Sequence, residues 1–338
     1  MTNQATQHKS SSILGIIALI LALLGIACAS ILLVIAEQNL SPYAATFDRL
    51  SIAALFFCVW VLGRSRFAPN LSSMQSDEIS TRHLSSNSEA DISEGTTVST
   101  SDTSPVWNVA LFIIAGLSFA GSLSLWAWSL TQTSVANSTL LNNMMPIFTT
   151  LGAWLVYRQT CTRQFLVGMG VAIAGAIIIG IEDLQLTDGF VGDEAALVAS
   201  MLSAVSILSI ERLRLQFSTA YIMMWTSLVG SLFLAMLLWF LHDNFFPSTR
   251  GAWAAVISLA LLSQALGQGL LTYSLKQFSA SLVAVSMLSI PVIAAFLAVI
   301  LFAERLSLLN CLAFAIVLGG IYLAVSSKFS ENAQNVTD

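Results

Sequence analysis

Few residues in this chain could do chemistry, and those few lie where polar groups are expensive. Asp48 and Arg49 are adjacent ionisable side chains in an apolar run. Asn142 and Asn143 are adjacent amides in the middle of another, LLNNMMPIF, and Gln264 and Gln268 stand four apart in LLSQALGQGLLTYSL. A carboxylate can carry a proton or meet a cation, a guanidinium offers fixed charge and a fork of donors, and an amide both donates and accepts. Such a set can recognise or pass a small polar solute. Pro146 and Pro291 add backbone polarity: proline brings no amide hydrogen, so in helical geometry the carbonyls of Asn142 and Met287 lose their partners. An orphan carbonyl in hydrocarbon is tolerated only against protein or a wet cavity. The two prolines therefore point to a central cavity.

Each of these residues also has a plainer use. Asparagines in apolar helices bond to neighbouring helices for about 0.6–2 kcal/mol. Adjacent residues project about 100° apart, so both amides cannot serve one neighbour. Asn142, one turn before Pro146, is the better cavity candidate. Gln264 and Gln268 share a helix face, and Gly267 and Gly269 beside them allow close backbone approach. Asp48 and Arg49, the only ionisable pair inside a predicted span, sit about a turn from its outer end, where Arg49 can snorkel and Asp48 can reach interfacial water; a coupling or gating role is the other reading. Catalytic chemistry has less to work with. His8, His83 and His242 lie outside the apolar runs, and Cys28, Cys58, Cys161 and Cys311 are scattered singly without metal-ligand spacing. We expect no catalytic residues, no metal site and no cofactor; there is also no Walker-type loop for a built-in ATP motor.

The elements that must position these residues are set by composition. Of 338 residues 56% are hydrophobic and 9% charged, with a mean hydropathy of +0.82. Soluble domains carry about a quarter charged residues, so the chain belongs in a lipid bilayer. Ten apolar runs approach the length needed to cross about 30 Å of hydrocarbon: 12–36, 44–63, 107–130, 134–157, 163–181, 194–210, 218–241, 252–275, 279–302 and 306–327. The first is too long for the apolar region of a cleaved leader, and we expect it to be retained. The net charge of −5 comes with no basic stripe, which argues against a nucleic-acid partner.

If the runs alternate across the bilayer from a cytoplasmic N-terminus, Lys9, Arg64, Arg66, Arg82, Arg158, Arg163, Arg212, Arg214, Lys276 and Lys328 fall inside, and only Arg250 and Arg305 outside. This asymmetry predicts both termini in the cytoplasm. Residues 65–105, with eleven serines between Ser72 and Ser104, cannot bury enough apolar area to fold alone and read as a disordered cytoplasmic linker.

The chain repeats itself. Shifting by 145 residues aligns SLTQTSVANSTLLNNMMP (129–146) with SLKQFSASLVAVSMLSIP (274–291), with five of eighteen positions identical, Pro146 over Pro291 among them. Five spans per copy is an odd number, so the second copy enters from the opposite face. The expected fold is an all-α integral membrane protein with ten transmembrane helices as two inverted five-helix repeats: a tail 1–11, a first repeat 12–182 interrupted by the linker 65–105, a second repeat 191–327, and a tail 328–338.

The stretch SASLVAVSMLSIPVIAAFLAVILFAERLSLLNCLAFAIVLGGIYLAV (279–325), with its mid-helix proline, its Glu304-Arg305 step and its Gly319-Gly320 pair, resembles the second repeat unit of the EamA-like carriers of the drug/metabolite transporter superfamily. SPYAATFDR (41–49) resembles that family's opening of the second helix. Two departures stand out: Arg158-Gln159 replaces the Glu-Arg often found in the first repeat, and the linker is long for the family. The resemblance implies alternating-access movement of a small-molecule substrate such as an amino acid, another metabolite or a drug, frequently outward across the plasma (bacterial inner) membrane. On this reading the substrate cavity is lined by Asn142, Asn143, Pro146, Gln264, Gln268 and Pro291. Asp48 and Arg49 are the coupling or gating candidates, with protons or a counter-substrate as the coupled partner and an oligomer compatible with all of it. The alternatives are an intramembrane enzyme, disfavoured by the histidine positions, and a passive channel, which would more commonly gather its symmetry by oligomerisation.

Overall fold

A computed structural model describes residues 14–28, 32, 40–67, 105–133, 135–181, 190–302 and 308–334. Among the described residues all regular structure is helical, as backbone crossing lipid without a closed barrel must be. The first half contains α1 (Leu14–Cys28), α2 (Pro42–Phe67), α3 (Pro105–Gln132), α4 (Val135–Asn142), α5 (Met145–Tyr157) and α6 (Arg163–Ile181). The second contains α7 (Phe190–Leu213), α8 (Thr219–Leu241), α9 (Arg250–Ser258), a π-helical stretch Leu259–Gln268, α10 (Gly269–Ser274), α11 (Ala280–Met287), α12 (Ser289–Phe302) and α13 (Leu308–Gln334). Of the linker expected over 65–105, residues 65–67 belong to α2 and Pro105 begins α3, while 68–104, like the Glu304-Arg305 step, lie outside the described residues.

Local chemistry starts these helices. Ser41 accepts the amide of Ala44 at 3.2 Å and Pro42 takes the first helical position of α2, where its missing amide costs nothing. Thr162, Ser218 and Thr249 cap α6, α8 and α9 in the same way, accepting from Phe165, Tyr221 and Ala252. Among the described residues six helices are long and apolar enough to cross a membrane, and Leu14–Cys28, Arg163–Ile178 and Cys311–Ser327 are shorter apolar helices. The run 134–157 is helical in two pieces, α4 and α5, each too short to span alone. Several boundaries differ from expectation, α2 ending at Phe67 rather than 63 and α7 starting at Phe190 rather than 194 among them. α7 continues through Leu213 rather than ending at 210, which brings Glu211 into the helix, and α13 continues to Gln334, past the expected end at 327.

Packing is close and largely antiparallel. Ser122 on α3 donates to the Ala199 carbonyl on α7, and Ser206 on α7 donates to the Ala115 carbonyl on α3, so these helices run in opposite directions. α6 and α13 do the same through small residues. A Cβ on Gly168 would lie 2.5 Å from the Ala324 amide nitrogen and one on Gly320 2.3 Å from that of Ala172, whereas Gly175 faces Val317 and Ala313. Such approach requires residues without side chains. α2 packs antiparallel on α8, with Leu50 against Gly230 and Ala44 grouped with Leu238. α1 lies against the π-helical stretch, where Gly25 faces the Leu262 carbonyl and Gly267.

Candidate functional site

A buried side-chain contact joins the two halves. Arg49, near the start of α2, donates from Nε at 2.9 Å and from Nη2 at 2.8 Å to the single Oε1 of Gln264 in the π-helical stretch. Arg49 is 8% exposed and Gln264 2%. Arg49 does not snorkel to the interface; it turns inward and is held by a neutral amide, so its charge is positioned but not cancelled. π-helical backbone, with its i→i+5 bonding, occurs mostly as single turns and is frequent at functional sites. Here it runs for ten residues and carries Gln264 to α2.

Asp48 is 2% exposed and its Oδ2 has no hydrogen-bond partner. Neighbours on a helix diverge by about 100°, and no ion pair forms between Asp48 and Arg49. The two are therefore separate devices: a fixed cation clamped by an amide, and a buried carboxyl oxygen available to a proton or cation. Ser263, beside Gln264, is fully buried and its hydroxyl also lacks a partner.

The second polar locus is the interruption between α4 and α5. The Asn143 amide donates to the Thr139 carbonyl at 3.0 Å, Met144 donates to Leu141 at 3.1 Å, and the helix restarts with Pro146 in its first turn. The other half breaks at the matching place: α11 ends at Met287, Leu288 donates to Val285 at 3.1 Å, and α12 starts at Ser289 with Pro291 in its first turn. Asn142 and Met287, the last residues before the breaks, are 145 apart, the repeat length read from the sequence. Asn142 and Asn143 are half-buried, Pro146 is buried, and Gln268 and Pro291 are half-buried. Met144 and Met145 at one break and Met287 and Ile290 at the other border the same apolar cluster. Among the described residues no hydrogen bond joins either asparagine to Gln264 or Gln268. α4 packs on α6 and α7, whereas the π-helical stretch packs on α2, α9 and α10.

Two buried charged residues were not singled out from the sequence. Glu211, 9% exposed, accepts the Ala280 amide at 3.0 Å through Oε1 and so caps α11 from another helix. Arg214 is 6% exposed, donating from Nε to Thr272 O at 3.0 Å and from Nη1 to Phe217 O at 2.7 Å. Both are in IERLRL, where the expected apolar run ends at 210 and the arginines bear only on orientation. The signal available was an acid one turn inside a basic cluster.

The fold is shared with a solved crystal structure titled only as that of a protein, at 17% identity and a TM-score of 0.69, covering 93% of this chain and 97% of the other. No curated protein matches the sequence. The model of the EamA-like transporter family matches residues 92–181 and again 191–326, one match in each half. Two matches to one family on either side of the α6–α7 junction are the duplication in another form, and the chain belongs to the EamA-like transporter family of membrane proteins.

Proposed function

We propose that this protein is a secondary carrier of the plasma membrane that exports a small polar or amphipathic metabolite, amino-acid-like or drug-like, by rocking two inverted five-span halves about a midplane cavity. The observation that carries the reading is the pair of helix breaks one repeat length apart, each followed within a turn by proline. Broken helices near the midplane, in corresponding places of two inverted repeats, are what carriers use to present backbone polarity to a solute.

The packing supports the inversion. Exchanging the halves sends the α3–α7 contact onto that of the π-helical stretch with α1, while the α2–α8 and α6–α13 contacts map onto themselves. Asn142, Asn143, Pro146 and Pro291 supply polarity at the breaks; Gln264 and Gln268 supply it across the interface. Arg49 and Asp48 stand where relative movement of the halves would make or break the Gln264 contact, which suits them to gating or coupling. Both termini then lie in the cytoplasm.

Purified protein in liposomes preloaded with a panel of amino acids and related metabolites tests the proposal. Saturable counterflow of at least one labelled member is expected. Absence of flux for every member, in both directions, from monodisperse protein would sink it; single-channel conductance would replace it with a channel.

A further inference from the structure

The sequence assigns Arg64, Arg214 and Lys276 to orientation alone, yet the structure gathers all three around a cavity of about 690 Å³ at one end of the molecule. Its walls are the end of α2, the α7–α8 turn with the first residues of α8, and the end of α10 with the residues just after it, so both halves contribute. Among the described residues no aspartate or glutamate lines it.

Orientation requires only that cations lie in the loops on one side, solvated. Arg214 is instead 6% exposed. Its Nε and Nη1 are anchored to the neutral carbonyls of Thr272 and Phe217, and its Nη2 has no partner among the described residues. Burying a guanidinium without a counter-charge is costly, and an anion in the cavity would offset that cost. The cavity also receives Thr219 and Ala220, the first residues of the 23-residue α8. Ser218 caps the Tyr221 amide, which leaves the two preceding amides without an intrahelical acceptor at the positive end of the helix dipole. The remaining Nη2 of the buried guanidinium, the two outer cations and the helix start together suit a group with several acceptor oxygens and more charge than a carboxylate. The volume is in the range of small-molecule sites.

We propose that this cavity binds a phosphate group, carried either by the headgroup of an anionic phospholipid or by a soluble phosphomonoester. Trp60 at the wall is more than half exposed and Lys276 is exposed, so in a bilayer the aromatic would offer the site an edge on lipid and the ammonium an edge on water. Arg64 lies fifteen residues along α2 from Arg49, about 22 Å at 1.5 Å per residue, so the site is separate from the Arg49–Gln264 clamp and does not rest on the transport reading.

The full chain in detergent would be titrated with phosphatidylglycerol, phosphatidylcholine and glycerol 3-phosphate, binding being read by native mass spectrometry and by the thermal midpoint. Preference for phosphatidylglycerol over phosphatidylcholine, with no response to glycerol 3-phosphate, identifies the lipid source; a saturable response to glycerol 3-phosphate identifies the soluble one. In either case the double variant Arg64→Gln, Lys276→Gln, whose two sites are exposed, is expected to bind at least about tenfold more weakly, since charged hydrogen bonds are lost. Arg158→Gln with Arg163→Gln removes equal charge outside the cavity and is expected to leave binding unchanged. Equal binding of all probes, or equal loss in both double variants, overturns the proposal.

Discussion

At Gln264 one side-chain oxygen holds two nitrogens of a buried arginine, so its removal isolates the value of that contact. Leucine is similar in size and suits an interior where Gln264 is 2% exposed, so packing changes little in Gln264→Leu. What is lost is hydrogen bonding to a charged group, about 1.5–3 kcal/mol, together with whatever strain Arg49 meets in finding another acceptor. The thermal midpoint in detergent should fall accordingly, and Arg49→Gln combined with Gln264→Leu should cost less than the sum of the two singles, because each removes the same contact. Asp48 is tested differently. Its Oδ2 stands without a partner, so Asp48→Asn removes an ionisable group without breaking a seen bond there. If Asp48 is the coupling group, this variant keeps substrate exchange but loses its response to an imposed proton gradient; an unchanged response assigns coupling elsewhere. The sequence made both residues visible as polar types in apolar runs. It could not show the clamp, because Arg49 and Gln264 are 215 residues apart and their meeting depends on π-helical backbone that apolar periodicity does not encode.

Helices show the same division between what pattern carries and what packing decides. The break between α4 and α5 was legible because Pro146 cannot supply an amide and its counterpart recurs at Pro291; the location follows from covalent structure alone. The burial of Glu211 was not legible, since an acid at the end of an apolar run can equally cap a neighbour or face water. Gly319 and Gly320 make the point most sharply, being identical in type and adjacent in sequence. A Cβ at Gly319 meets nothing within 4 Å, whereas one at Gly320 would stand 2.3 Å from the Ala172 amide nitrogen and 2.7 Å from the Gly168 carbonyl oxygen. These are backbone atoms, and they cannot move aside without parting α6 from α13. Gly319→Ala should therefore stabilise the protein by up to about 1 kcal/mol through helix propensity. Gly320→Ala should destabilise it by about 1–3 kcal/mol through overpacking. Opposite shifts in thermal midpoint for two neighbouring glycines are the expected result, and shifts of the same sign would mean that α6 and α13 are not packed as described.

For the whole molecule, the direction of each crossing decides whether the halves are inverted. α2 opposes α8 and α6 opposes α13, as they must if these equivalent spans are related by a two-fold axis in the membrane plane, and α3 opposes α7, a pair that the same exchange sends onto the π-helical stretch and α1. Between residue 90 in the linker and residue 188 after α6 the chain passes along α3, then α4 with α5, then α6. If, as proposed, α3, α4 with α5, and α6 each cross the bilayer once, these two positions lie on opposite sides of the membrane. The prediction is checked with Ala90→Cys and Asp188→Cys introduced singly after Cys28, Cys58, Cys161 and Cys311 are replaced by serine. On the proposed orientation, with the loops richer in arginine and lysine inside, a membrane-impermeant thiol reagent applied to intact cells should label position 188 and reach position 90 only after permeabilisation. Labelling of both from the same side would mean an even number of crossings between them. The matched breaks would then fall at unrelated depths, and two halves moving about one shared cavity would no longer follow from their sequence register.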